Sequence, residues 1–126
     1  MRTPFVLFAV LVSAILLGAC GGPDAGDSCN TNGFVCGDDK TVLECTSGKW
    51  RSIPCRGAGG CSVNNNRVSC DVTRNQDGDA CASANEGQGI CHPNGSATLE
   101  CRNGVFVQTN TCSSCTVSGE RVVCTP

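Results

Sequence analysis

The chain has 126 residues, carries 13 cysteines and 16 glycines, and has a formal net charge of −2. More than one residue in ten is cysteine, which marks a disulfide scaffold rather than an ordinary packed core. The weakly acidic balance excludes a protein that binds nucleic acid by neutralising phosphates, and the odd cysteine count sets one cysteine apart from the rest.

Residues 1–19 read as an export signal. Arg2 and the free amine form a short positive region. Phe5 to Leu17 follows as an uncharged apolar run of thirteen residues, short of the roughly 20 needed to span a membrane. The run stops at Leu17-Gly18-Ala19-Cys20. An apolar residue, two small residues and a cysteine in that order resemble the lipobox of bacterial lipoproteins. The resemblance implies removal of the preceding segment, a thioether-linked diacylglycerol on Cys20 and usually a third acyl chain on its amine. It also implies location in the bacterial envelope, where two or more chains anchor stably. Gly21 stands where enteric lipoproteins retained in the inner membrane carry aspartate, which points to the outer membrane. Setting Cys20 aside leaves twelve cysteines, an even number.

Residues 20–27 (CGGPDAGD) form a small, glycine-rich stretch that reads as a flexible tether. An internal repeat follows. Gly26-Asp27-Ser28-Cys29 matches Gly78-Asp79-Ala80-Cys81, Leu43-Glu44-Cys45 matches Leu99-Glu100-Cys101, and Arg67-Val68-Ser69-Cys70 matches Arg121-Val122-Val123-Cys124. Each copy holds six cysteines: Cys29, Cys36, Cys45, Cys55, Cys61 and Cys70, then Cys81, Cys91, Cys101, Cys112, Cys115 and Cys124. The expected architecture is small, disulfide-rich and mostly β, with two tandem cysteine-rich modules of short hairpins. Module one spans 28–72, a polar linker 73–78, and module two 79–126.

From Cys20 onward there are 16 Leu, Ile, Val and Phe in 107 residues, too few to hold two modules of under fifty residues without cross-links. Three disulfides per module, at roughly 2–4 kcal/mol each, meet that shortfall and require an oxidising compartment. Short strands are expected at Thr41–Cys45 and Lys49–Ile53, joined at Ser47-Gly48, and at Thr98–Arg102 and Val105–Thr109, joined at Asn103-Gly104. That register sets Cys45 opposite Trp50, Cys101 opposite Phe106, and Glu44 opposite Arg51. A near-palindrome from Cys61 to Cys70, centred on Asn65-Asn66, predicts a hairpin. Its counterpart from Cys115 to Cys124 centres on Gly119-Glu120. Cysteines at opposite ends of such hairpins fall at close, non-hydrogen-bonded sites, so Cys61 is expected to bond Cys70 and Cys115 to bond Cys124. The other four cysteines of each module keep three possible connectivities.

Trp50 has two readings, a packing residue over a disulfide or a platform for stacking a sugar. Phe106 at its matched position suits the first. Cys112-Ser113-Ser114-Cys115 has the spacing of thiol oxidoreductases, but the matching Cys55 and Cys61 are separated by five residues, which a redox motif would not tolerate. His92 is the lone histidine and reads as a loop residue. Asp38-Asp39-Lys40 reads as a polar turn, as does Asn94-Gly95-Ser96 despite its glycosylation-sequon pattern. No catalytic residues, metal ligands or cofactor are expected. Leu43-x-Cys45-x-x-Gly48-x-Trp50-x-x-x-Pro54-Cys55 resembles the C-terminal stretch of sushi modules over 13 residues, although those modules have four cysteines and module two lacks both tryptophan and proline. That resemblance implies an interaction module.

The expected function is therefore a lipid-anchored envelope lipoprotein acting as a non-catalytic binding or structural module, with a protein or glycan ligand. Two alternatives stand beside it: a protease inhibitor presenting Arg56 or Arg74 on a constrained loop, and a carbohydrate-binding module using Trp50.

Overall fold

The computed structural model describes residues 21–126; the signal segment 1–19 and the lipobox cysteine Cys20 lie outside the described residues. Module one is a three-stranded antiparallel meander of β1 (Gly33–Asp38), β2 (Thr41–Thr46) and β3 (Lys49–Pro54), followed by a hairpin of β4 (Cys61–Asn64) and β5 (Arg67–Cys70). Module two repeats the plan. Its meander comprises β6 (Gly89–Cys91), β7 (Ala97–Arg102) and β8 (Val105–Thr111), and its hairpin β9 (Ser114–Ser118) and β10 (Arg121–Thr125). A single turn of 3₁₀ helix, Ser83–Asn85, precedes β6.

The tight turns follow from local chemistry. Asn103 (φ 52°) and Gly104 (φ 79°) are both left-handed, as are Asn65 (φ 49°) and Asn66 (φ 60°). Two successive positive φ values make the turn whose twist matches that of paired strands, and Asn and Gly adopt them most readily. The registers are those expected: Cys45 faces Trp50 and Glu44 faces Arg51, Cys101 faces Phe106, Cys61 faces Cys70, and Cys115 faces Cys124.

The disulfides differ from the expectation drawn from those registers. Module one is linked Cys29–Cys45, Cys36–Cys61 and Cys55–Cys70. Module two repeats the pattern as Cys81–Cys101, Cys91–Cys115 and Cys112–Cys124. Cys61 therefore does not bond Cys70, nor Cys115 Cys124, although each pair sits directly opposite. Directly opposed residues share one face of a ladder. In the β4–β5 hairpin that face, carrying Cys61, Val68 and Cys70, packs onto Val42, Ile53 and Cys55 of the meander. Each sulfur thus meets a partner beneath it rather than its neighbour across the hairpin. A link from 61 to 70 would close a loop that the turn already closes. The observed links of module one's hairpin span 25 and 15 positions and remove more freedom from the unfolded chain.

Both ends of module one are bonded into the fold. The stretch read as a flexible tether is bonded from Asp24 onward. Asp27 N–H donates to Asp24 O (3.1 Å), Gly26 N–H donates to Trp50 O (2.8 Å), and Trp50 N–H donates to Asp27 O (2.9 Å). The polar 73–78 segment is likewise held on both sides. Asn75 is fully buried, and Gln108 N–H donates to Asp77 Oδ1 (2.8 Å).

Burial is concentrated in two small clusters. In module two Cys81, Leu99, Cys101 and Phe106 gather, with Val72 of the preceding segment against them. In module one Val42, Ile53 and Cys55 are joined by Ala80 and Ala82 from module two. Each module thus lends side chains to the other's cluster. The twelve cysteines of residues 21–126 pair among themselves in six disulfides, and the clusters described above are built within the same span.

Candidate functional site

The β1–β3 sheet of module one has two different faces because side chains alternate along a strand. Leu43 and Ser52 lie on one, beside Pro23, Asp24 and Ala25 of the N-terminal segment. Phe34, Val42, Glu44, Arg51 and Ile53 lie on the other, which meets module two.

An ion pair holds that meeting. Arg51 Nη2 donates to Glu44 Oε2 (2.6 Å) across the β2–β3 ladder. The same guanidinium crosses to module two, donating to Cys81 O (2.6 Å) and Gly104 O (2.9 Å). The second Glu44 oxygen accepts from Ser83 N–H (3.0 Å) and from the Ser83 hydroxyl. Burial pushes the Glu44 carboxyl up, but the hydrogen bonds from Ser83 and Arg51 outweigh it and hold the group below its ordinary value. Glu44 thus stays charged and bridges the modules.

A second contact braces the other side. Arg56 donates twice to Asp79, at 2.7 and 2.8 Å. Asn75 clamps the adjoining backbone by accepting from Arg56 N–H (3.0 Å) and donating to Pro54 O (2.7 Å). The hydrogen bond from Arg56 lowers the Asp79 pKa, and Gln76 N–H adds to that against the opposing effect of burial.

A cleft of about 290 Å³ lies at the junction of the two modules. Module one contributes Phe34, Val42, Ile53, Val68, Ser69, Cys70 and Val72 to its lining, and module two Cys81, Ala82, Ala84, Asn85 and Phe106; the exposed Phe34 stands at its rim. No charged side chain lines it. The volume lies near the lower end of the roughly 300–1,000 Å³ typical of ligand pockets, and a junction between modules is a common place for one.

Of the residues singled out from the sequence, Cys70, Cys81 and Phe106 line the cleft, and the others lie outside its lining. Trp50 is half-buried on β3 opposite the disulfide-bonded Cys45. Its counterpart Phe106 is buried in module two's cluster. Arg56 is engaged by Asp79, whereas Arg74 is exposed beside Thr73, Gln76 and Pro93. His92 is half-buried, and its Nδ1 accepts from Asn94 N–H (3.2 Å). Asp38 accepts from Lys40 N–H (2.7 Å) and Asn94 from Ser96 N–H (2.9 Å), so both motifs form turns. Cys112 and Cys115 belong to different disulfides rather than to one redox pair. Among the described residues no three His, Cys, Asp or Glu side chains gather as a metal site. The sequence reading missed the cleft because its lining comes from both modules. The one available signal was a set of apolar residues in module one at positions where module two is polar or glycine. Compared with protein-family models, with curated proteins and with solved structures, the chain matches none.

Proposed function

We propose that this chain is an exported lipoprotein that carries lipid on Cys20 and acts as a non-catalytic binding module in the bacterial envelope. The observation that carries the anchoring is one of cysteine accounting. Of 13 cysteines, twelve pair in six disulfides within residues 21–126. Cys20 therefore has no cysteine of this chain left to pair with, and it stands at the end of a lipobox-like run. Six disulfides also suit an exported protein. Among the described residues no helix is long and apolar enough to cross a membrane, so in this reading the lipid supplies the attachment.

The binding half of the reading rests on the cleft. The first bonded residue, Asp24, lies only four positions after Cys20. At roughly 3.3–3.6 Å per residue the connection reaches no more than about 14 Å, which keeps the body near the headgroups. The N-terminal segment packs on the Leu43 face of the sheet, while the cleft lies on the Val42 face.

Detergent phase partition of the full-length protein tests the anchor. The native protein is expected in the detergent phase, with radiolabelled palmitate incorporated. Cys20→Ala is expected in the aqueous phase or uncleaved, without label. A Cys20→Ala protein that is cleaved, unlabelled and still retained in the membrane would overturn the lipid assignment.

A further inference from the structure

The internal repeat allows module two to serve as a control for module one. The matched carboxylates Glu44 and Glu100 face Phe34 and Gly89 on their neighbouring strands. Val42 faces Ile53, whereas the matched Thr98 faces Asn110. The same backbone plan therefore folds with Gly, Thr and Asn where module one has Phe, Val and Ile. Val42 and Ile53 are accounted for in part by Ala80 and Ala82 packed over them. Phe34 is not: it remains 38% exposed at the rim of the cleft. An aromatic ring that the fold does not require, held at the mouth of an apolar cleft, needs another reason to be there.

The geometry points to a binding site for a neutral, mostly hydrocarbon small molecule with one hydrogen-bonding end. The cleft lining decides the class. With no charged side chain in it, an ionic ligand would lose its hydration without compensation. A sugar would bring many hydroxyls to a lining in which Asn85 is the one polar side chain, because Ser69 alternates with the inward-facing Val68 and Cys70 and turns its hydroxyl to the other face of the hairpin. That group is neutral, and the Asn85 amide nitrogen already donates to Gln88 Oε1 (2.9 Å), which leaves the Asn85 oxygen as an acceptor. A hydrocarbon body on Val42, Ile53 and Phe106, capped by Phe34, with its polar end at the Asn85 oxygen, satisfies both parts of the surface. A volume of about 290 Å³ is roughly twice that of the dry cavity of about 150 Å³ known to take benzene. The size therefore fits two fused rings or a medium-length alkyl chain. Arg51, Glu44 and Ser83 tie the two modules that supply the lining, so the cleft is formed before a ligand arrives and little ordering cost is left for binding.

This inference rests on the binding half of the proposed function and not on the lipid. Its test uses residues 21–126, exported so that the disulfides form, with linkage checked by non-reducing mass spectrometry. The probe is N-phenyl-1-naphthylamine, a neutral aromatic amine that fluoresces in apolar surroundings, with 1-decanol as competitor. Saturable binding at one site, displaced by decanol, is the expected result. Phe34→Gly, which installs the residue of module two, should weaken binding by about fivefold or more through loss of the capping ring. Ala84→Phe, which fills the cleft from an exposed position, should abolish it. Val123→Ser, on the exposed face of β10, should change nothing. Non-saturable fluorescence, or equal affinity in the native, Phe34→Gly and Ala84→Phe proteins, would overturn the site. That outcome beside an intact Cys20 partition result would remove the cleft ligand and leave the anchor standing.

Discussion

Replacing Glu44 by alanine should loosen the junction between the modules, and the size of the effect can be worked from its contacts. Glu44 accepts hydrogen bonds from Arg51, from Ser83 N–H and from the Ser83 hydroxyl. Its side chain is 5% exposed and that of Arg51 is 32% exposed. Removing one member of a fully buried pair costs about 3–5 kcal/mol, mostly from the charge left behind. Arg51 retains the carbonyls of Cys81 and Gly104 and some contact with water. That lowers the expected loss to about 2–3 kcal/mol, on the order of a hundredfold in the folding equilibrium. The assay is urea unfolding of the oxidised protein, followed by the fluorescence of Trp50, the sole tryptophan. The control lies in the other module: Glu100, the repeat counterpart, pairs with Arg102 at the surface, and Glu100→Ala should leave the midpoint where it was. Equal losses in the two variants would refute the reasoning, since the local ladder rather than the junction would then explain both.

Acid should weaken the same contacts. Glu44 and Asp79 are held below their ordinary values as described above, and Asp71 is lowered by bonds from the Thr73 side chain, Gly59 N–H and Thr73 N–H. A depressed carboxyl contributes stability above its unfolded pKa and loses it as the pH falls through its folded pKa. The urea midpoint should therefore hold near neutrality and fall below about pH 4, with a shallower fall in Glu44→Gln. Asn75→Ala should cost about 1–3 kcal/mol, because it strands Arg56 N–H and Pro54 O without partners at a buried site; a loss under half a kcal/mol would contradict the clamp. Gly60→Ala should lower the thermal midpoint sharply, because Gly60 has φ +53° and an added Cβ would collide with Asp39 O. Native thermal stability in that variant would show that the 56–60 loop can move aside. Non-reducing peptide mapping should recover Cys36 with Cys61 and Cys55 with Cys70; a peptide joining Cys61 to Cys70 would contradict the fold.

The hairpins and the registers within them were legible from local residues alone. Asn103-Gly104 and Asn65-Asn66 are local instructions: two residues that tolerate positive φ between alternating strands leave little choice of pairing. Glu44 opposite Arg51 followed from the same counting. The first strand of each meander was not legible, because Gly33–Asp38 and Gly89–Cys91 are short, contain glycine and gain their order from pairing with β2 and β7. Packing between elements chose which cysteines join. Register places Cys61 beside Cys70, but the choice of partner depends on which face of the hairpin lies against the sheet, and that is a property of packing. It also decided what Glu44 is for. Adjacent strands bring Arg51 to it, whereas Ser83 is 39 positions away and arrives only when module two docks. The cleft is of the same kind, since Val42, Val68, Ala84 and Phe106 come together through that docking. Local periodicity encodes neighbours along a ladder. Contacts between ladders depend on burial summed over the whole chain, and no single stretch of residues carries them.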